Sequence, residues 1–235
     1  MFIVKRRKHY VSILGIVLAL VVILSPAAQA ELFGFGAITN NSGVSGTYAG
    51  QLAVDVTDPG SNQVLFTFYN DGPGSSLYDV LSPIAGSITE IYFDDNAGLL
   101  AFNSITNGLG VSFVNSGAGT SPGDLPSGNT LVPPFVATTP LSVESQPQPP
   151  VNGVNPNEWV ALRYDILTGS YAGVLNALHL GLTGADTLRI GIHVRGILPT
   201  GVNQSDSFIM VPIPGAVILA IFGLGVVGIK LRKYA

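Results

Sequence analysis

Two uncharged apolar runs bound this chain and confine any globular body to the residues between them. The first, Val11 to Leu24, follows Lys5, Arg6, Arg7 and Lys8 and precedes Ala28-Gln29-Ala30. A basic head, an apolar stretch shorter than a comfortable span and small residues for signal peptidase predict a secretory signal peptide over 1–30, cleaved after Ala30 with Ala28 and Ala30 as the recognised small residues. An uncleaved signal-anchor helix is the alternative. The second run, Gly215 to Ile229, ends in Lys230, Arg232 and Lys233. With help from Ile209 to Ile213, or from snorkelling lysines, it approaches the roughly 20 apolar residues that cross a bilayer, and it predicts a transmembrane helix over 215–229. Positive charge stays on the cytoplasmic side, so this basic end places the C-terminus inside and everything before it outside. A terminal core helix of a soluble protein is the alternative.

Between the runs, Glu31 to Met210 leaves about 180 residues, enough for one domain with its own core. Outside the two ends no long segment keeps a helical period, while period-two alternation recurs. Leu52, Val54 and Val56 alternate with Ala53, Asp55 and Thr57 before Pro59-Gly60. Val64 to Asn70, Ser87 to Phe93, Trp159 to Ile166 and Ser207 to Val211 read as further strands, and Leu188, Ile190, Ile192 and Val194 mark the clearest buried face. Leu99 to Ile105 and Gly110 to Val114 read as a hairpin around Asn107-Gly108. Ser170 is placed to cap one short helix, Tyr171 to His179, whose Val174, Leu175 and Leu178 would lie on the sheet. The fold expected is all-β: a jelly-roll-like β-sandwich over 31–210 with one short helix, a signal-peptide helix before it and a membrane helix behind it.

From Ser121 to Asn157 the chain holds nine of its sixteen prolines. Proline cannot donate to a sheet ladder, so this is a long surface excursion. Leu131, Val132, Phe135 and Val136 favour a cover over apolar surface above a ligand-binding lid.

Charge is strongly partitioned. Seven of the ten basic residues lie in the two ends, and the middle keeps only Arg163, Arg189 and Arg195 against all fourteen carboxylates, a net charge of -11 with no lysine. Such a body repels phosphate backbones, which excludes nucleic acid as a partner. With no cysteine, thiol catalysis, cysteine-held zinc and disulfides are excluded as well.

Candidate chemistry is sparse. Arg189, His193 and Arg195 share the face of their strand opposite the core. They could grip an anionic sugar with guanidinium forks, or pair with carboxylates of a neighbouring strand. Asp94 and Asp95 at a strand end could offer oxygen ligands to Ca²⁺, or close an Asx-type turn. No other metal or cofactor is indicated. A glycosidase needs two facing carboxylates; Asp79, Glu90, Asp94, Glu158 and Asp165 offer pairs without a basis for choosing among them. His179 and His193 stand alone, without a His-x-His or His-Glu-x-x-His grouping.

The tail supplies a resemblance. Val211, Pro212 and Pro214, a glycine-containing apolar helix and the closing Lys230, Arg232 and Lys233 resemble the sorting tail of the PEP-CTERM proteins of Gram-negative bacteria, with Ile213 where that family usually has glutamate, as in its apolar variants. The resemblance implies recognition by a membrane-embedded exosortase and cutting near the Pro-x-Pro element, so that 211–235 forms a sorting tail. A second series is similar to a recurring secreted domain of such proteins: Ile91-Tyr92-Phe93-Asp94-Asp95, Gly110-Val111-Ser112-Phe113, Ser121 to Pro126, Asn152 to Pro156, Leu188 to Val194 and Ser205 to Phe208. That domain has no assigned enzymatic activity.

The function expected is therefore non-catalytic: a protein exported past signal peptidase, anchored transiently in the inner membrane, cut by exosortase and delivered to the cell surface, outer envelope or extracellular matrix in a structural or adhesive role. The alternative is a lectin-like module for exopolysaccharide, and a polysaccharide hydrolase stands behind both.

Overall fold

The computed structural model describes residues 30–71, 83–115, 123–147, 152–183, 187–197 and 204–212. Ten strands run through them: β1 (Glu31–Ala37), β2 (Leu52–Thr57), β3 (Gln63–Asn70), β4 (Ser87–Asp95), β5 (Leu100–Asn107), β6 (Phe113–Val114), β7 (Val143–Ser145), β8 (Glu158–Ile166), β9 (Leu188–Ile197) and β10 (Gln204–Pro212). Two α-helices join them, α1 (Ser45–Ala49) and α2 (Tyr171–Leu182). The strands form one sheet in the order β5-β8-β3-β2-β1-β10-β9-β4-β7-β6, and the paired strands are antiparallel.

Alternation along each strand becomes an inside and an outside. Val64, Phe66 and Phe68 of β3, Val160, Leu162 and Tyr164 of β8, and Leu188, Ile190, Ile192 and Val194 of β9 are all buried in one common core. The expected all-β class is thus found, but the strands lie in a single sheet, not in the two facing sheets of a sandwich. Register shifts at Ile88/Glu90, Phe102/Ser104 and Gln204/Ser205 increase the bending of their strands, which lets one sheet curl until its inner face meets itself. The ring nearly closes between the edge strands. Asn107 bridges β5 to β6 through its side-chain amide, which accepts from Phe113 N at 2.9 Å and donates to Phe113 O at 3.3 Å. The hairpin expected around Asn107-Gly108 does not form, because β5 takes β8 as its ladder partner and β6 takes β7.

Side chains fill the interior. Phe93 sits between Phe66 and Tyr164 with ring centroids 5.2 and 4.8 Å away, within the range of favourable tilted aromatic contacts. An interior filled with apolar side chains is the reverse of the polar lumen of a membrane-spanning barrel. Both poles are plugged. At one, α2 buries Val174, Ala177 and Leu178, and Tyr171 donates to Val56 O at 2.8 Å. At the other, α1 inserts Tyr48, whose hydroxyl accepts from Asn70 Nδ2 at 3.0 Å while that same nitrogen reaches Gly86 O and Val154 O, each at 2.9 Å. Burial holds the Tyr48 phenol well above its ordinary range.

Several expectations need adjusting. The helix capped by Ser170, whose hydroxyl accepts from Gly173 N, runs on to Leu182, and α1 is a second short helix. Strand β1 has no counterpart in the sequence reading, since Gly34 and Gly36 disguise it; the alternating Phe33 and Phe35 are what it buries. The proline-rich excursion covers apolar surface in part: Phe135 is buried and Leu131 packs beside it, with Leu125 and Tyr92, in a second cluster outside the ring. Val132 and Val136 instead face solvent.

Among the described residues no helix is long and apolar enough to cross a membrane. The segments 11–24 and 215–229, together with Ala28, Pro214, Lys230, Arg232 and Lys233, lie outside the described residues.

Candidate functional face

Strand β9 carries Arg189, Gly191, His193 and Arg195 on its outer side, as its period requires, and β4 lies beside it with Asp94 opposite Arg189 and Glu90 opposite His193. The neighbouring carboxylates take up these cations. The Arg189 guanidinium donates to Asp94 Oδ2, to Pro133 O at 2.7 Å and to Pro134 O at 2.7 Å, and its centre lies 5.5 Å from the Phe135 ring. Asp94 also accepts from Val136 N at 3.1 Å. The fork is therefore spent on holding the proline-rich strap against β4 and β9. Gly191 makes room for the strap: a Cβ there would stand 2.5 Å from Leu125 Cδ2.

Further along the same face Glu90 receives three donors. His193 Nδ1 lies 2.6 Å from Oε2, the Tyr92 hydroxyl donates to Oε2 at 3.1 Å, and Arg195 donates to Oε1 at 2.8 Å. Burial raises a carboxyl's pKa, but here the His193 hydrogen bond and the charges of His193 and Arg195, with the Tyr92 bond, outweigh it and hold Glu90 below its ordinary value. The Tyr92 phenol is pushed up, first by burial and then by the Glu90 charge. Glu144 of β7 stands opposite Glu90 and accepts from Gln146 Nε2 at 3.1 Å. Only Arg195 keeps substantial exposure, 40% of its side chain.

The structure thus brings Arg189, His193 and Arg195 onto one face and joins Asp94 to them. It separates Asp95, whose oxygens accept from Leu99 N at 3.0 Å and Leu100 N at 2.9 Å, closing the turn from β4 into β5. The two aspartates share no ligand position, and among the described residues no group of three or more His, Asp or Glu is disposed to hold a metal. Of the other carboxylates weighed for acid–base work, Glu158 accepts from Asn155 N and Nδ2 at 2.8 and 2.9 Å, and Asp165 accepts from Gln63 and Asn103. Asp79 lies outside the described residues. The sequence reading singled out the cations of this face but not Glu90 as the shared partner of His193 and Arg195; inter-strand register, which a single strand's pattern does not encode, is what selects it.

A second buried carboxylate also escaped the sequence reading. Asp206, 1% exposed, accepts from Thr39 Oγ1 at 2.8 Å, Asn41 N at 2.6 Å, Ser42 N at 3.2 Å and Ser42 Oγ at 2.5 Å. It ties the segment after β1 to β10. The sequence signal, an Asp in the series Ser205-Asp206-Ser207-Phe208, gives no hint of a partner so far away in the chain.

The processing residues fall at the ends of two adjacent strands. Ala30 is exposed and Glu31 opens β1. Val211 and Pro212 are the last residues of β10, opposite Gly34 and Phe33 of β1, so the folded body extends two residues past the boundary expected at Met210. The start of β1 and the end of β10 both lie at the α2 pole, where His179 Nε2 of α2 meets Glu31 Oε1 at 2.9 Å. No family model matches the chain, and no curated protein or solved structure matches it.

Proposed function

We propose that the chain is an exported, non-catalytic envelope protein: an acidic β body carried out by a cleaved leader, held for a time at the inner membrane by its C-terminal run, then freed by exosortase near Pro212 and Pro214 for a structural or adhesive role at the surface or in the matrix. One observation carries the reading. Strand β1 opens at Glu31, immediately behind Ala28-Gln29-Ala30, and β10 carries Val211 and Pro212, the first proline of the Pro-x-Pro element, with Pro212 paired to Phe33 so that the two expected processing points lie on adjacent strands. The ten described strands all lie between these two points. The body's interior is packed with side chains and plugged at both poles, which suits a rigid cargo. Its buried ionic groups hold one another and the strap in place.

Intact-mass measurement of the protein recovered from its host tests this. The expected species starts at Glu31 and ends at or just beyond Pro212. A species that keeps Met1 and Ala235 and sediments with the cytosol sinks the proposal.

A further inference from the structure

On strands other than the two that carry the Arg189–Asp94 contact, the outer face of β3, β8 and β5 presents a different surface. Trp159, the chain's one tryptophan, is 37% exposed and stands directly across the strand from Tyr69. Both point outward, since Phe68, Asn70 and Val160 beside them point in. Gly108 lies so close that a Cβ there would stand 2.6 Å from Trp159 O and 3.4 Å from two atoms of the indole; a side chain at that position would press on the ring. The next residue, Leu109, is 98% exposed. Leu109 sits in the turn that leaves β5, so the aromatic pair and an open leucine fall at the same end of this face.

Two residues along, the rungs become small. Thr67, Ala161 and Thr106 lie in register across β3, β8 and β5, a row of small side chains between Trp159 and Arg163. Beyond it the surface turns polar and planar. Arg163 Nη1 donates to Gln63 Oε1 at 3.0 Å, Gln63 Nε2 donates to Asp165 Oδ1 at 2.7 Å, and Asn103 Nδ2 reaches both Asp165 oxygens at 3.1 Å. From Trp159 to Arg163 is about 13 Å at the ordinary rise per strand residue.

A partly exposed aromatic pair, a row of small side chains and a group of amide, carboxylate and guanidinium side chains match a chain of sugar rings. Pyranose rings offer an apolar C–H face to an indole and paired hydroxyls to planar polar groups. Charge narrows the choice, because a body of net charge -11 whose one arginine on this face is already bonded disfavours a polyanion. We infer that the outer face of β3, β8 and β5 is a binding platform for a neutral polysaccharide, with Trp159 and Tyr69 as stacking residues and Asp165, Asn103 and Arg163 as hydroxyl-binding residues. The site is separate from the Arg189–Arg195 face and stands independently of the export reading.

The test uses the full chain in detergent micelles and a panel of soluble polymers: dextran, xyloglucan and galactomannan as neutral probes, alginate as the anionic one. The single indole makes Trp159 its own reporter, so a neutral probe is expected to give a saturable blue shift of its emission and retention in affinity electrophoresis. Trp159→Ala should weaken retention roughly tenfold or more, as truncating a tryptophan anchor does; Asn103→Ala at the exposed far end should weaken it less, and Arg195→Gln should leave it unchanged. Melting temperatures check that the variants fold, and Asn103→Ala carries the test should Trp159→Ala fail to. The inference is overturned by a panel with no saturable response, by retention confined to alginate, or by retention that survives both Trp159→Ala and Asn103→Ala. Native termini at Glu31 and near Pro212 with no polysaccharide retained would sink this inference and leave the export proposal standing.

Discussion

Glu90 shows how much one residue can depend on neighbours distant in the chain. Its carboxylate is buried on the outer face of β4, yet it holds its charge because His193, Arg195 and Tyr92 all turn towards it. Taking away one partner of a buried ionic group leaves the others uncompensated, at a cost of about 3 kcal/mol or more. Glu90→Gln is therefore expected to lower the unfolding free energy from urea melts by an amount of that order, while Arg195→Gln, whose side chain is partly in water, should lower it less. The same group sets a pH dependence. Its folded pKa lies below the ordinary 4.5, so its contribution to stability is complete above about pH 4.5 and is lost as pH falls through the folded value. Urea midpoints measured from pH 7 down to 3 should fall in that window, and the fall should be shallower in Glu90→Gln. From the sequence, the outward stripe of Arg189, His193 and Arg195 was legible because alternation within one strand is a local property. Glu90 was not, since five carboxylates competed and only the pairing of β4 with β9 selects among them.

Among the elements, α2 was largely legible: Ser170 caps it and the apolar spacing of Val174 and Leu178 faces the core. Its depth of docking was not. Gly181 approaches β9 so closely that a Cβ would stand 2.3 Å from Leu188 O, whereas a Cβ at Gly173 would meet only Ser170 Oγ, at 4.0 Å. The two glycines should respond with opposite signs. Gly173→Ala gains helix propensity and is expected to stabilise by about 0.5–1 kcal/mol; Gly181→Ala must push the helix off the sheet and should destabilise by about 1–3 kcal/mol. Thermal or chemical unfolding of the pair checks this. The proline-rich strap is the second element decided by contacts rather than by composition. Its apolar residues suggested a cover, but Arg189 and Asp94 hold it through Pro133 O, Pro134 O and Val136 N. Asp94→Ala should loosen it, seen as faster amide exchange at Val136, with β3 and β8 unaffected. Strand β1 was hidden for a plain reason: glycine at alternate positions lowers strand propensity, while the buried Phe33 and Phe35 make the strand worthwhile once β2 and β10 flank it.

For the whole molecule, buried phenols predict the alkaline limit. Tyr48, Tyr92 and Tyr164 are raised, each by burial first, and Tyr171 is pushed up to about 12 by burial and then by Glu31, Asp55 and Asp58. A folded pKa above the ordinary 10.0 means stability that is complete below pH 10 and declines as pH rises through the folded values. Urea midpoints should hold from pH 8 to 10 and drop towards pH 12, with a shallower drop in Tyr171→Phe. At this scale the chain's own pattern sufficed for the all-β class, for most of the strands and for the partition of basic ends from acidic middle, because hydrophobic period and charge are written residue by residue. It put the body's expected bounds at Glu31 and Met210, while β10 runs on to Pro212. Closure into one ring, the partners of β5 and β6, the plugging of both poles and the union of Glu90 with β9 depended on long-range pairing. A strand's sequence specifies which side faces inward but carries almost no record of which strand lies beside it; the partner is chosen by register, bulges and the space that distant side chains leave one another.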